Sequence, residues 1–153
     1  MFPYLQSDFI VNNFVSIFIQ TIHNQLSNQM KYKNILQIDD DQDDCNFFLE
    51  ALEEISSSNY IAIHNPVQAL QKLVNREISP DLIFLDINMP FMNGIEVLTE
   101  IKKKDVLKNI PVIIFSTSIP VEVKSKIKAL GALDYFTKPN DFSALKKILM
   151  NLI

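Results

Sequence analysis

The chain has 153 residues, 48% of them hydrophobic and 21% charged, with a net charge of −4. That length suffices for one domain with a sizeable core, and the negative balance offers nucleic acid no electrostatic hold. The single cysteine, Cys45, excludes an intrachain disulfide framework and fits a reducing compartment, so a cytoplasmic location is expected.

The first thirty residues carry no Lys or Arg and one acid, Asp8. Within them, "FIVNNFVSIFIQTI" (9–22) is apolar but broken by Asn12, Asn13, Ser16 and Gln20. It is too short and too polar for a membrane span, and the chain start lacks the positive charge of a secretory signal. Ile10, Phe14, Phe18 and Ile22 recur at helical spacing, which predicts an amphipathic helix. A polar linker follows at 24–28, and a change of character near Met30 divides the chain into an N-terminal extension, 1–29, and a domain, 30–153. Three readings of the extension stand: a helix docked on the domain or on a second copy of the chain, a surface anchor, or residues preceding a true start at Met30. Without Lys or Arg, an anchor has little hold on anionic lipid.

From residue 34 the pattern alternates. "NILQI" (34–38) reads as a strand, and "DDCNFFLEALEEI" (43–55) as a helix with Phe47, Phe48, Ala51, Leu52 and Ile55 inward. "YIAIH" (60–64) is a second strand, and "PVQALQKLVNREI" (66–78) a helix opened by proline, with Val67, Leu70 and Val74 on one face. "DLIFLD" (81–86) is a third strand, and 93–103 a helix burying Ile95, Leu98 and Ile101. "PVIIFS" (111–116) is a fourth strand, followed by a helix over 120–132 with Gly131 at its stop. "LDYFT" (133–137) is the fifth strand, and 140–153 the last helix, capped by Asn140 or Asp141. Five strands each followed by a helix predict an α/β fold, a doubly wound, five-stranded parallel sheet covered on both faces.

Such a sheet places its site at the carboxyl ends of the strands. Those ends carry Asp39 and Asp40, His64, Asp86, Ser116 and Thr117, and Thr137 with Lys138. His64 reads as a loop histidine. In "DDDQDD" (39–44), five aspartates fall within six residues. Asp43 and Asp44 suit a helix N-terminus; Asp39 and Asp40 lie too far back for that. An EF-hand would need glycine where Asp44 stands. A magnesium ion remains: Asp39, Asp40 and Asp86 bring −3, and Mg²⁺ with Lys138 brings +3, a balance ready to receive a phosphoryl group.

The motifs "QIDDD", "LIFLDINMPFMNGIEVL", "PVIIFSTS" and "GALDYFTKP", in order and at the ends of strands 1, 3, 4 and 5, resemble the receiver domain of two-component response regulators over about residues 32–153. The resemblance implies a flavodoxin-like (βα)5 domain with strand order 2-1-3-4-5. It implies Asp86 as phosphoacceptor, and Mg²⁺ held by Asp39, Asp40, Asp86 and the backbone carbonyl of Asn88. It further implies Ser116 as switch hydroxyl, Lys138 as the lysine of the site before a cis Lys138–Pro139 bond, and Tyr135 as switch aromatic. Taken alone, Ser116 also reads as a polar strand end, and Tyr135 as ordinary packing. Thr117 stands where the family usually has a smaller residue, and Asn93-Gly94 where Asp-Gly is common. Cys45 and Leu49, set off the first helix's apolar stripe, are expected to face a docking partner; by itself Cys45 also reads as a small buried residue.

The function so implied is a stand-alone phosphorylation switch. A sensor histidine kinase or histidine phosphotransfer protein would donate the phosphoryl group, and a downstream protein would read the change; neither nucleic acid nor membrane is expected as partner. A phosphorylation-independent adaptor would have lost some of the acidic pair, acceptor, hydroxyl and lysine. A Mg²⁺-dependent phosphohydrolase would need a general acid–base near Asp86, and "FLDINMP" has no second carboxylate two residues on.

Overall fold

The computed structural model describes residues 15–19 and 31–153. The chain separates into two compact units, residues 1–31 and 32–153. In the first, residues 15–19 are helical; the rest of the helix expected over 9–22 lies outside the described residues.

In the second unit the elements run β1 (Asn34–Ile38), α1 (Gln42–Ile55), β2 (Asn59–Ile63), α2 (Pro66–Val74), β3 (Leu82–Leu85), α3 (Gly94–Lys103), β4 (Val112–Ser116), α4 (Val121–Ala129), β5 (Asp134–Thr137) and α5 (Phe142–Leu152). The strands form one all-parallel sheet in the order β2-β1-β3-β4-β5. This is the predicted doubly wound fold and strand order. It arises because side chains alternate across a strand. In β3, Leu82 and Phe84 join Ile35, Phe115 and the inner faces of α1 and α5, whereas Ile83 and Leu85 join Leu36, Ile38, Ile114 and the inner faces of α2, α3 and α4. All four β3 side chains are 0% exposed, so the central strand has no solvent face and must be apolar throughout.

Helix ends follow local chemistry. Asp41 caps α1: its Oδ1 accepts the backbone N–H groups of Asp43 and Asp44, at 2.9 and 3.1 Å, and those two aspartates stand in the first turn as expected. Asp141 caps α5. Asn93 and Glu96 form a reciprocal capping box on α3. α4 ends at Ala129 rather than 132. Gly131, at φ +88°, sends its N–H to Lys128 O, and Ala132 N–H returns to Ile127 O, a Schellman stop as expected of that glycine. α2 ends in the same way after Val74, but with Arg76 (φ +59°) in the left-handed position.

The face expected of α2 is corrected. Pro66, Ala69 and Leu73 are buried, while Val67 and Val74 are 42% and 40% exposed. Spacings of three and four from Pro66 carry the stripe through 66, 69, 70 and 73, which leaves the two valines on its outer margins. Among the described residues no helix is long and apolar enough to cross a membrane.

Candidate functional site

β1 ends in an apolar residue, Ile38, and the next side chain, Asp39, is 0% exposed. β3 ends likewise at Leu85, followed by Asp86 at 6%. Because β1 and β3 are neighbours in register, Ile38 against Leu85, the two aspartates emerge side by side. Asp40, exposed, completes a triad whose carboxylate oxygens lie within 4.8 Å of one another. β4 contributes Ser116, 0% exposed, and the turn after β5 contributes Lys138, whose N–H bonds to Ser116 O at 2.9 Å.

Each buried group has a partner. Asp39 Oδ1 accepts the Asp41 N–H at 3.1 Å, and its Oδ2 accepts Gln37 Nε2 at 2.9 Å. Asp86 Oδ1 accepts the Ile87 N–H at 2.8 Å, and its Oδ2 faces Lys138 Nζ at 3.8 Å. Lys138 Nζ makes two shorter pairs, at 2.7 Å each, with Asp39 Oδ2 and Asp44 Oδ2. The Asn88 side-chain amide donates to Ser116 Oγ at 3.3 Å, which ties the end of β4 to the loop after β3. Gly94 supports that loop from below. Its N–H bonds to Ile87 O, and any Cβ there would run into the Asp86 carbonyl, so the backbone approach that sets Asp86 needs glycine.

Charges in this crevice answer to two opposed effects. Burial raises the Asp39 carboxyl above its usual range, although Lys138 and the Asp41 N–H pull it down. Burial alone would lower the Lys138 ammonium; the Asp39 and Asp44 carboxylates outweigh it and raise it. Three carboxylates in an all-oxygen cluster, two of them anchored by backbone N–H groups, are the donor set that a hard divalent cation such as Mg²⁺ takes. The residues present therefore fit the ion.

The sequence-predicted residues thus converge: Asp39, Asp40, Asp86, Asn88, Ser116 and Lys138 share one crevice. Tyr135 lies on β5, half-buried, with Lys124 and Lys128 Nζ 5.6 and 5.5 Å from its ring centre. Thr117 is exposed just past Ser116. The Lys138–Pro139 bond is not cis; no cis peptide occurs among the described residues.

Cys45 requires a correction. It is 3% exposed and cannot present a docking surface. Positions 45, 48 and 52 are spaced by three and four, so Cys45 lies on the buried stripe rather than off it. Its Sγ rests 3.8 Å from Asp39 O and 3.9 Å from His64 Nδ1. Burial pushes the thiol up to about 12, which leaves it unreactive. Leu49 is half-buried.

Three participants escaped the sequence reading. Asp44 bonds Lys138 from 94 residues away, a pairing that no local pattern reveals. Gln37, 1% exposed, and Tyr60 form a buried relay: Tyr60 OH donates to Gln37 Oε1 at 2.8 Å, and Gln37 holds Asp39. A glutamine inside the apolar run "NILQI" was the available signal, since a buried amide demands partners.

Comparison with known proteins agrees with this geometry. The family model described as "Response regulator receiver domain" matches residues 35–150. The transcriptional regulatory protein ZraR of Klebsiella oxytoca is 39% identical over 116 residues, which are 76% of this chain and 25% of that protein. The chain spans a quarter or less of the first curated relatives it matches. Among solved structures, the phosphorylated cyanobacterial phytochrome response regulator RcpA superposes with a TM-score of 0.72 at 32% identity, over 79% of this chain and 91% of that one. The Mn²⁺-bound form of response regulator Rcp1 does so at 0.69 and 31%, over 78% and 91%. Motif order, strand order and a family match over three quarters of its length agree, and the chain belongs to the response regulator receiver domain family.

Proposed function

We propose that this protein accepts a phosphoryl group on Asp86 from a phosphohistidine of a sensor histidine kinase or histidine phosphotransfer protein, and that the modified form alters a contact with a downstream protein. One observation carries the reading. Asp86 is held at the end of β3 with the oxygens of Asp39 and Asp40 within 4.8 Å and an ammonium 3.8 Å away.

In this reading an Asp86 carboxylate oxygen bonds to phosphorus as the P–N bond to the donor imidazole breaks, and the bonding pair returns to the imidazole nitrogen. Asp39, Asp40, Asp86 and the Asn88 carbonyl would hold Mg²⁺, which supplies positive charge at the phosphoryl oxygens. The chain's own contribution is position and charge. The Ile87 N–H fixes the Asp86 carboxylate, Gln37 and the Asp41 N–H fix Asp39, and the Lys138 ammonium stands 3.8 Å from Asp86, within reach of a phosphoryl group carried there. Ser116 would leave the Asn88 amide for a phosphoryl oxygen. Tyr135, whose ring lies near two lysines of α4, would respond to that movement as a population shift. Leu49 on α1 remains the residue proposed to line the donor's approach.

Acetyl phosphate tests the chemistry without a kinase. With Mg²⁺, the chain should gain one acid-labile phosphate per molecule, and none with a chelator. Asp86→Asn keeps the shape and removes the nucleophile, so labelling of that variant at the wild-type level would exclude Asp86 as acceptor.

A further inference from the structure

Lys138 faces three carboxylates and holds two of them more closely than the third. Its Nζ is bonded to Asp39 Oδ2 and Asp44 Oδ2, each at 2.7 Å, and stands 3.8 Å from Asp86 Oδ2. In the resting protein the ammonium is therefore drawn away from the carboxylate on which a phosphoryl group would be carried.

The two close partners are not equivalent. The Asp39 side chain is 1% exposed and is held by Gln37 Nε2 and the Asp41 N–H besides Lys138. It also belongs to the oxygen triad with Asp40 and Asp86. Asp44 is outside that triad. It sits in the first turn of α1 with its side chain 36% exposed, and Lys138 is its one ion-pair partner among the described residues. A cation that takes Asp39, Asp40 and Asp86 leaves the Asp44–Lys138 pair standing. Water can replace the lysine at Asp44, whereas Asp39 stripped of the lysine would be a buried anion short of a partner. Asp44 is thus the partner that can let go.

We propose that Asp44 is a positioning residue that holds Lys138 in its resting place and competes for it with a phosphoryl group on Asp86. This rests on the receiver reading above. Asp44 then sets how strongly the phosphorylated arrangement is favoured, without touching the metal or the reacting atoms.

Beryllofluoride, a mimic of the phosphoryl group on an aspartate, gives the test. The full chain with saturating Mg²⁺ is titrated, and the dissociation constant is read from amide shifts or calorimetry for wild type, Asp44→Asn and Asp43→Asn. Asp43 has the same charge one residue earlier and is not among the partners of Lys138 in the described residues, so it reports the effect of charge alone. Asp44→Asn should bind beryllofluoride about 3- to 10-fold more tightly, the range expected when one partly exposed charged hydrogen bond no longer competes. Asp43→Asn should stay within about twofold, as a surface charge without a specific partner does. Mg²⁺ titrated alone should distinguish the two variants little, and the amide shifts of Lys138 should move in Asp44→Asn only. Equal binding by the two variants, or weaker binding by Asp44→Asn, would overturn the role given to Asp44. Absence of beryllofluoride binding by wild type itself would instead overturn the receiver reading beneath it.

Discussion

The strands that end in the acidic crevice also build the aromatic core a few residues earlier, and both regions bury side chains from the same sheet. In the core, Phe48 meets Phe84 at 4.8 Å between ring centres, Phe115 at 5.7 Å and Tyr60 at 5.7 Å, with Phe84 and Phe115 in contact edge-on. In the crevice, Asp39, Asp86 and Ser116 are as deeply buried as those rings. The core holds together through shape and exclusion of water, and burial pushes the ionisation of the Tyr60 hydroxyl at its edge far upward. The crevice holds together because each buried charge has a partner. Equal burial therefore produces two kinds of stability: one indifferent to pH and ions, the other dependent on both.

The largest effect should come from the core. Phe48→Ala removes a ring that is 0% exposed and touches three aromatic neighbours. It should lower the unfolding free energy by about 3–5 kcal/mol. Denaturant melts should show that loss unchanged by Mg²⁺, because no ligand of the crevice is touched. A loss that Mg²⁺ repairs would mean the two regions are coupled.

Next comes the crevice. Lys138→Met leaves Asp39 and Asp86 buried without their ammonium and should cost about 3 kcal/mol near neutral pH, the lower end for breaking a buried pair. The alkaline limb separates this from a packing defect. The folded Lys138 ammonium is held above the ordinary lysine value of 10.5 by its carboxylate partners, so its contribution is fully present below that pH and is lost as pH rises through the folded value. Wild-type stability should accordingly fall towards the variant's above about pH 10.5, once the contribution of other groups, measured in the variant itself, is subtracted. Curves that stay parallel would show that the ammonium's charge contributes nothing. At the acid end, Asp39 acts in the opposite sense. Burial raises it above 3.8, so its ionisation costs stability as pH climbs past that value, a cost that a cation held by the triad would relieve.

The smallest effect lies outside both regions and calibrates them. Arg76 occupies the left-handed stop of α2 at φ +59°, where Gly131 serves α4. Arg76→Gly should stabilise by up to about 1 kcal/mol by removing Cβ strain, offset in part by the greater freedom of glycine in the unfolded chain. A destabilised variant in thermal melts would mean the Arg76 side chain has a use that its backbone conceals.

The sequence read most clearly where the physics is periodic or local. Alternating apolar runs specified five strands and five helices, and helix-stop chemistry placed Gly131 at its C′ position. Asp39, Asp40, Asp86, Ser116 and Lys138 were legible because a parallel sheet brings strand ends to one edge, and their spacing along the motifs matched a known family. Reading was weakest where a choice turns on one residue of helical phase. Val67 and Val74 read as inner-face residues and Cys45 as an outer one, yet the folded chain exposes the valines and buries the cysteine, because a stripe of apolar residues has margins that composition does not order and packing does. The partners of Lys138 were beyond sequence altogether. Five aspartates in six residues carry the same charge, and only the closing of the chain over 94 residues selects Asp39 and Asp44 for the ammonium and leaves Asp86 at 3.8 Å. Charge pairing depends on distance and burial, and both are properties of the folded chain.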